Sequence, residues 1–457
     1  MTLELRPRMT PPRLLLGSFL LLIAFGTLGL RVLPGLYVGP RLGWVDALFT
    51  ATSAVCVTGL IVVDTATHFT PRGQAFLLLL IQLGGLGILT FTTLIIQAFG
   101  RRLSLHHEAV ASSYAEIAPE LDFRKLVRSI VLLTFLAEAI GAAVLFGVWL
   151  PRFGAGEAAW HAVFQSISAF CNAGFSTFSD SLAGFQRDPL ALGTIMVLIV
   201  AGGLGFLVFE ELRHFVTRQR PRSKLRLSLH TRLVLQVSAF LLVGGWITFA
   251  VLEWTNTLTS LPTPDRLVNS LFMSVTARTA GFNTVDYSAT TVSSNFATIL
   301  LMSIGGSPGS TAGGLKTTTV ALIGLLALAR LRGRTVTGFG YRSVPSETVQ
   351  RAVGLFVVAF GLVTGAIMLL AVLELGPGGS PSHERFLSLM FEGVSAFNTV
   401  GLSMGETGGL SDAGRLLTVF LMYVGRVGPL SFAAAIALDP DPSASEFRYA
   451  YEDVIIG

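Results

Sequence analysis

The feature that most constrains this chain is an arrangement that recurs four times along it. Each copy holds a short apolar segment, a Ser-Ala or Thr-Ala pair, a loop that reaches a glycine, and a long apolar run. The four loop glycines are Gly59, Gly174, Gly281 and Gly401, at nearly even spacing. Recurrence of this kind predicts four copies of one structural unit within a single chain.

Each copy also contains two apolar runs long enough to cross ~30 Å of hydrocarbon. They cover residues 14–33, 74–98, 127–150, 190–209, 232–252, 296–329, 352–373 and 416–438. Apolar residues make up 52% of the 457 and charged residues only 13%, a balance that excludes an ordinary soluble protein. The sequence therefore predicts an all-α, multi-pass membrane protein with eight transmembrane helices.

Between the two runs of each copy lies a shorter apolar segment, too short to cross the membrane. The four segments are Asp46 to Val57, Ala159 to Ala169, Leu267 to Ala277 and Phe386 to Ala396. We interpret them as re-entrant half-helices buried in protein. The expected fold is four covalently linked span–pore-helix–span repeats around a pseudo-fourfold ion pore. The predicted repeats are 1–105, 106–225, 226–340 and 341–457.

The basic residues indicate the orientation of the chain. They concentrate in the segments 1–13, 101–128, 213–232 and 330–351, which fall on one side of the predicted membrane. By the positive-inside rule this side is cytoplasmic, so both termini are expected in the cytoplasm. The pore loops then enter the cell (inner) membrane from its outer side. The net charge of +5 is then explained without a nucleic acid. The same segments can also contact anionic lipid.

The four loops have the composition of a cation filter made from backbone carbonyls. The predicted K⁺ ligands are the carbonyl groups of Val57, Thr58, Gly59, Asn172, Ala173, Gly174, Thr279, Ala280, Gly281, Thr399, Val400 and Gly401. Glycine permits the dihedral angles that such a loop needs, and the C-termini of the half-helices direct partial negative charge inward. The loops carry no carboxylate, which favours a monovalent cation over Ca²⁺ or Mg²⁺. Taken singly, each loop is more typical of an ordinary glycine turn between helices, and it is the recurrence at four equivalent positions that favours the filter.

The chain resembles the membrane subunit of the Trk/Ktr/HKT superfamily of potassium transporters across all four copies. Members carry one filter glycine per repeat, and the stretch Thr276 to Asp286 is among the most specific. Gly59 stands where sodium-selective plant members carry serine, and the first repeat starts at about residue 14, as in the Ktr-type subunit. The resemblance implies a homodimer of pore subunits and a cytoplasmic ring of nucleotide-binding regulatory subunits. The nucleotide would bind to that ring.

A further glycine-rich signal lies after each filter glycine. It reads Gly84-Gly85-Leu86-Gly87, then Gly202-Gly203-Leu204-Gly205, and in the fourth copy Gly425-Arg426-Val427-Gly428. In the first two copies these residues are also typical of close helix packing. The third copy expands into the longest run: Gly305, Gly306, Ser307, Pro308, Gly309, Ser310, Thr311, Ala312, Gly313 and Gly314.

The run 296–329 would form a helix of roughly 50 Å, too long for one straight span. We therefore expect the third inner helix to break at 305–314 and to form a mobile gate across the pore, as the resemblance also implies. Lys316 and Arg426 lie at the same depth. Arg426 would either raise an electrostatic barrier to K⁺ or cap carbonyl groups of the broken helix.

The remaining polar residues of the apolar segments have less specific roles. We expect Arg278 to anchor the third loop through a buried carboxylate such as Glu392. Glu138 and Glu210 are either coupled to transport or simply packed. Cys56 and Cys171 are expected to be small buried residues, with a disulfide or metal site as the alternative.

The function favoured by the sequence is potassium uptake through a gated, carbonyl-lined filter. The first alternative is a Na⁺- or H⁺-coupled secondary transporter, which the parallel repeats disfavour, since many such transporters have inverted repeats. The second alternative is a membrane enzyme. We find no Ser/His/Asp set, no His/Glu metal cluster and no nucleotide motif in the sequence, so we expect no enzymatic activity.

Overall fold

The computed structural model describes residues 11–98, 123–217, 227–339, 342–376, 383–429 and 432. The described part of the chain is mainly helical. Its helices are α1 (Pro11–Val32), α2 (Trp44–Val55), α3 (Thr65–His68), α4 (Pro71–Ala98), α5 (Phe123–Cys171), α6 (Pro189–Leu204), α7 (Phe206–Thr217), α8 (Leu229–Glu253), α9 (Thr263–Thr276), α10 (Val292–Met302), α11 (Thr317–Leu331), α12 (Ser346–Leu375), α13 (His383–Phe397) and α14 (Asp412–Val427). A two-residue hairpin pairs β1 (Gly338–Phe339) with β2 (Arg342–Ser343).

Four described helices are long and apolar enough to cross a membrane, and a fifth candidate is a helix pair bent by 97°. The four helices correspond to the predicted spans at 14–33, 127–150, 232–252 and 352–373. The predicted span at 74–98 is also helical, as α4. The count of eight spans is a prediction that these helices alone do not test.

Two predicted spans are broken helices. The run 190–209 turns at Gly205, which has a φ of 89°, so α6 and α7 form the bent pair. The run 296–329 is interrupted between α10 and α11, because residues 303–316 are not helical. The predicted break in the third inner helix is thus present, whereas the bend in the second one was not expected. The predicted span at 416–438 overlaps with α14, which begins at Asp412 and ends at Val427.

The four short apolar segments are helical as expected. They form α2, the last part of α5, α9 and α13. In α5 the first span and the short segment run on with a kink, because Pro151 and Gly154 interrupt regular helix geometry and Gly154 has a φ of 75°. The short helices α2 and α9 are separated from the span before them by loops.

The short helices pack in a cyclic order. Each contacts the inner helix of the copy before it: α5 contacts α4, α9 contacts α6, and α13 contacts α10. The cycle closes because α2 contacts α14, the last described helix. Buried aromatic side chains such as Phe49, Phe164, Phe272 and Phe391 fill the space between these helices. This packing brings the C-terminal ends of the short helices, and the loops that follow them, to the centre of the molecule.

Candidate functional site

The four glycine loops share one backbone conformation. In each loop the glycine has a φ between 70° and 95°, and the residue two positions earlier is also left-handed. Those earlier residues are Val57 (φ 56°), Asn172 (59°), Thr279 (69°) and Thr399 (50°). A left-handed β-branched residue is strained by ~1–3 kcal/mol, and such strain tends to cluster at functional sites. Glycine adopts a positive φ without this cost, and rings of backbone carbonyls are the ligands from which cation filters are built.

The loop glycines lie against one another in a closed ring. A Cβ atom added to each glycine would approach the carbonyl oxygen of the residue before the next glycine. From the added Cβ atom to that oxygen, the distances are 2.5 Å at Gly59 (to Ala173 O), 3.0 Å at Gly174 (to Ala280 O), 2.6 Å at Gly281 (to Val400 O) and 2.1 Å at Gly401 (to Thr58 O). The fourth contact returns to the first loop. The structure therefore brings the twelve predicted ligand residues into four adjacent loops, with no room for a side chain at the glycines.

The hydroxyl groups of the Ser-Ala and Thr-Ala pairs hold the loops in place. Ser53 accepts a hydrogen bond from the Gly59 N–H (3.1 Å), and Ser395 accepts one from the Gly401 N–H (3.0 Å). In the other two loops Ser168 and Thr276 donate to the carbonyl of the residue after the glycine. One buried hydroxyl per copy thus fixes each loop. This explains why a Ser-Ala or Thr-Ala pair recurs before each loop in the sequence.

The inner-helix glycines allow close packing on the short helices. A Cβ added to Gly84, Gly202 or Gly425 would lie within 2.0 Å of a backbone carbonyl oxygen. Those carbonyls belong to Val55, Phe170 and Phe397, each four residues before its loop glycine. The interpretation as packing glycines therefore fits the first two copies and the fourth. The third copy has no equivalent contact, because the chain there leaves the helix.

The segment 305–314, which we call the gate segment, lies directly beside the loops. It binds the second copy through the N–H groups of Ser307 and Thr311, which donate to Gly203 O (3.0 Å) and Gly202 O (3.2 Å). The Phe206 N–H donates in turn to Gly309 O (3.0 Å). These contacts use carbonyl and N–H groups that the bend at Gly205 leaves outside regular helix bonding.

The gate segment also contacts the fourth copy. The Gly313 N–H donates to the Thr399 hydroxyl (3.1 Å), and the Gly314 N–H donates to Gly425 O (3.1 Å). The next residue, Leu315, donates to the Asn398 side chain (3.3 Å). Ser307, Thr311 and Ala312 are buried in these contacts. The gate segment is therefore wedged between the second and fourth copies, next to the proposed ligand residue Thr399.

Lys316 and Arg426 are the two basic residues that were predicted to lie at the depth of the gate segment. Both donate hydrogen bonds to carbonyl groups. Lys316 donates from Nζ to Ala312 O (2.6 Å), at the end of the gate segment. Arg426 donates to Thr311 O and to Gly84 O (2.7 Å for the latter) while its side chain is only 2% exposed. The contacts match the interpretation of Arg426 as a cap for carbonyl groups of the broken helix. They also place positive charge beside the gate segment.

The predicted pairing of Arg278 with Glu392 is wrong. Arg278 donates from Nη2 to Gly305 O, at 3.4 Å. Glu392 accepts hydrogen bonds from the hydroxyls of Ser403 and Thr407 in the fourth copy. Two hydroxyls satisfy this carboxyl without a cation, which sequence spacing alone does not reveal.

The other singled-out residues have local partners. Glu138 is buried and accepts a hydrogen bond from Gln82 (3.2 Å), while Cys171 Sγ lies 3.9 Å from its other oxygen. Glu210 accepts from Ser129 (3.0 Å) and pairs with Arg213 (2.5 Å). Cys56 and Cys171 are buried free thiols, which confirms the prediction made for them. No metal-binding group of His, Cys, Asp or Glu occurs among the described residues.

Two residues that contact the predicted site residues were not predicted from the sequence. Gln82 was not singled out, although it is a polar residue in an otherwise apolar run and contacts the buried Glu138. Asn398 was not singled out either, although it lies in the fourth loop and receives the Leu315 N–H. An amide within an apolar segment is the signal that identifies both.

Comparisons with known proteins agree with this arrangement. The TrkH family, described as cation transport protein, matches residues 20–447. The chain is 37% identical to the potassium/sodium uptake protein NtpJ of Enterococcus hirae, over 99% of both chains. It is 38% identical to the Ktr system potassium uptake protein B of Vibrio alginolyticus, over 98% of this chain and 95% of that protein.

A solved structure has the same fold. The potassium transporter TrkH from Vibrio parahaemolyticus superimposes with a TM-score of 0.74 over 95% of this chain and 86% of that one, at 18% identity. The family match covers the four glycine loops and the gate segment. The chain belongs to the TrkH family of cation transport proteins.

Proposed function

We propose that this chain is a potassium uptake pore of the cell (inner) membrane, in which K⁺ passes through the ring of glycine loops. The observation that carries the proposal is the closure of that ring, in chain order, by backbone atoms alone. A desolvated K⁺ is bound by rings of carbonyl dipoles, and the loops hold such groups in a strained, fixed conformation. Relatives at 37–38% identity are potassium or potassium/sodium uptake proteins, which supports the same cargo here.

The architecture that goes with this function is four covalently linked repeats around the ring. The proposed repeats are 1–105, 106–225, 226–340 and 341–457, each with two transmembrane segments and one re-entrant half-helix. The cyclic packing of the short helices against the preceding inner helices supports this division. K⁺ would be held by the carbonyls of residues 57–59, 172–174, 279–281 and 399–401.

The gate segment closes the pore in this proposal. It contacts the fourth loop through Thr399 and Asn398 and the second inner helix through Gly202 and Gly203. K⁺ flow then requires the segment to leave these positions. Lys316 and Arg426 hold the segment through its carbonyls and place positive charge where K⁺ must pass.

The proposed assembly is a homodimer of pore subunits under a cytoplasmic ring of nucleotide-binding subunits, with both termini of this chain in the cytoplasm. Relatives named as the B component of a Ktr system support a second component. The nucleotide would bind to the ring of cytoplasmic subunits.

A concave surface of about 680 Å³ lies at the end of α11 and is lined by Arg332, Arg334 and Arg342. It provides positive charge that can contact the cytoplasmic subunits or anionic lipid.

The test is Rb⁺ or K⁺ uptake by a potassium-uptake-deficient bacterium that expresses the chain with its regulatory subunit. A Cβ at Gly59 would lie 2.5 Å from Ala173 O, so Gly59→Ser must displace the ring. We expect the wild-type chain to restore growth. We expect the Gly59→Ser variant either to fail to restore growth or to become permeable to Na⁺. Gly193→Ser is the matched control, because no atom lies within 4 Å of a Cβ at Gly193.

Failure of the wild-type chain to restore growth would overturn potassium as the cargo. Rescue that Gly59→Ser leaves unchanged would overturn the filter assignment. The alternative is a Na⁺- or H⁺-coupled transporter. It is supported by the buried Glu138, whose carboxyl lies within the apolar segments and accepts a hydrogen bond from Gln82. Uptake that requires a Na⁺ or H⁺ gradient and is abolished by Glu138→Gln would favour that alternative.

A further inference from the structure

Arg278 is a half-buried cation, and no acidic partner for it occurs among the described residues. None of the ion pairs between described residues includes it, and the one hydrogen bond of its side chain runs to Gly305 O at 3.4 Å. Its Nε atom is buried and has no acceptor in the described part of the protein. A guanidinium that is largely removed from water is destabilised when no counter-charge lies beside it. Negative charge next to this group would offset that cost.

A second polar group without a partner, the hydroxyl of Ser238, lines the same cavity as Arg278. Ser238, in the middle of α8, is 4% exposed, and its Oγ has no protein partner among the described residues. Ser238 and Arg278 line the same cavity of about 20 Å³, between α6, α8, α9 and the gate segment. A space of that size holds one water or one small ion.

The remaining walls of the cavity offer few acceptors for a water molecule. They consist of aliphatic side chains, such as Ile199 and Val275, together with the backbone of Gly203 and Gly306. The carbonyls of both glycines already accept hydrogen bonds, from Ser307 N and Thr317 N, each at 3.0 Å. A water placed here could accept from Arg278 and Ser238, but it would have to donate to carbonyl oxygens that already accept one hydrogen bond, and it would leave the charge of Arg278 uncompensated. An occupant that only accepts fits the walls better.

We propose that this cavity binds one monatomic anion of the halide class, held by the guanidinium of Arg278 and the hydroxyl of Ser238. The anion supplies the charge that Arg278 lacks and satisfies both orphan donors. A cation is excluded by the guanidinium, and the volume excludes a polyatomic anion such as phosphate. The site borders Gly306, so an occupant here stabilises the gate segment in the position described above.

Bromide is the probe for this site, because it replaces chloride and scatters anomalously. Crystals of the full chain grown in NaBr are expected to give an anomalous peak between Arg278 and Ser238. The same crystals of Ser238→Ala, which keeps the charge but removes one donor, are expected to give a weaker peak. Absence of a peak in the wild-type chain would overturn the proposal and assign the cavity to water.

Thermal unfolding measured in NaBr against sodium gluconate gives a second readout that is independent of transport. The wild-type Tm is expected to rise with bromide and to saturate, because a ligand that binds only the folded state stabilises it. Loss of a hydrogen bond to a charged group in Ser238→Ala is expected to raise the half-saturating concentration about tenfold.

Thr248→Ala is the matched control for Ser238→Ala. It removes a hydroxyl from the same helix, where Thr248 bonds only to Gly244 O. It is expected to keep the wild-type bromide response. Equal Tm values in bromide and gluconate for the wild-type chain, or an equal loss of response in both variants, would contradict the proposal. Both readouts concern binding alone, so they remain informative if the chain does not transport K⁺.

Discussion

Arg426 in α14 donates a hydrogen bond to the carbonyl oxygen of Thr311 in the gate segment, and a second one to the carbonyl oxygen of Gly84 in the first inner helix. One buried side chain thus ties the first, third and fourth copies together. Removal of an arginine from such a position leaves two carbonyls without their donor.

Arg426→Gln is expected to increase Rb⁺ uptake severalfold while leaving a folded protein. Glutamine removes the charge and shortens the side chain, so the hold on Thr311 is lost and the barrier to K⁺ is lowered. The measurement is initial Rb⁺ uptake per amount of membrane-inserted protein. Arg415→Gln in the same helix is the control, since Arg415 pairs with Asp46 (2.7 Å) and does not contact the gate segment. Lower uptake from an equal amount of protein would contradict a gating role for Arg426.

Thr399→Val tests the contact between the gate segment and the fourth loop. Valine has the shape of threonine but cannot accept the hydrogen bond from Gly313 N–H, now 3.1 Å long. A buried N–H without an acceptor costs ~1–3 kcal/mol, so we expect the closed position to be less populated and uptake to rise. Thr399→Ser keeps the hydroxyl and is expected to behave more like the wild type. Equal uptake in the two variants would show that this hydrogen bond does not hold the gate segment.

Alanine substitutions of the ring glycines are expected to differ in severity. The added Cβ lies 2.1 Å from Thr58 O at Gly401, but 3.0 Å from the nearest carbonyl oxygen, Ala280 O, at Gly174. Gly401→Ala therefore needs the larger displacement of the neighbouring loop, in addition to the strain that a positive φ imposes on alanine at both positions. The K⁺/Na⁺ permeability ratio measures the outcome. A larger fall in the ratio for Gly174→Ala than for Gly401→Ala would contradict the described ring.

Gly202→Ala and Gly203→Ala separate packing from helix propensity at adjacent positions. A Cβ at Gly202 would lie 2.0 Å from Phe170 O, whereas the nearest atom to a Cβ at Gly203 is 3.5 Å away. Overpacking costs ~1–3 kcal/mol, but alanine favours a helix by up to about 1 kcal/mol over glycine. We expect a lower Tm for Gly202→Ala and an unchanged or higher Tm for Gly203→Ala, measured in detergent. The opposite order would refute close packing at Gly202.

Much of the helix arrangement followed from hydrophobic length. The half-helices at Trp44–Val55, Thr263–Thr276 and His383–Phe397 match the predicted short segments within a few residues. The break in the third inner helix followed from its length and from the glycines and proline at 305–314. The bend at Gly205 did not, because Gly84-Gly85-Leu86-Gly87 has the same pattern as Gly202-Gly203-Leu204-Gly205 and yet remains helical.

The difference between those two glycine motifs lies in their neighbours. The second inner helix is bent where Phe206 N–H donates to Gly309 O, a partner from another copy. The partners of buried side chains likewise depend on contacts that the sequence pattern does not show. Glu392 was predicted to pair with Arg278, although Ser403 and Thr407 lie close enough in sequence to donate hydrogen bonds to its carboxyl. Charge alone suggested the pair, while the geometry of the loop after Gly401 decided the actual partners.

Among the described inner helices, the third alone is split by a long non-helical stretch, between Met302 and Thr317, whereas the second is only bent at Gly205. This difference has an evolutionary consequence. In an assembly of four identical chains, any substitution is present in all quarters, so a mobile insertion would appear four times around one axis and obstruct itself. Fusion of the quarters into a single polypeptide lets selection act on each separately. One quarter can then carry the proposed gate segment, while the other three keep the packing on which the ring of glycine loops depends.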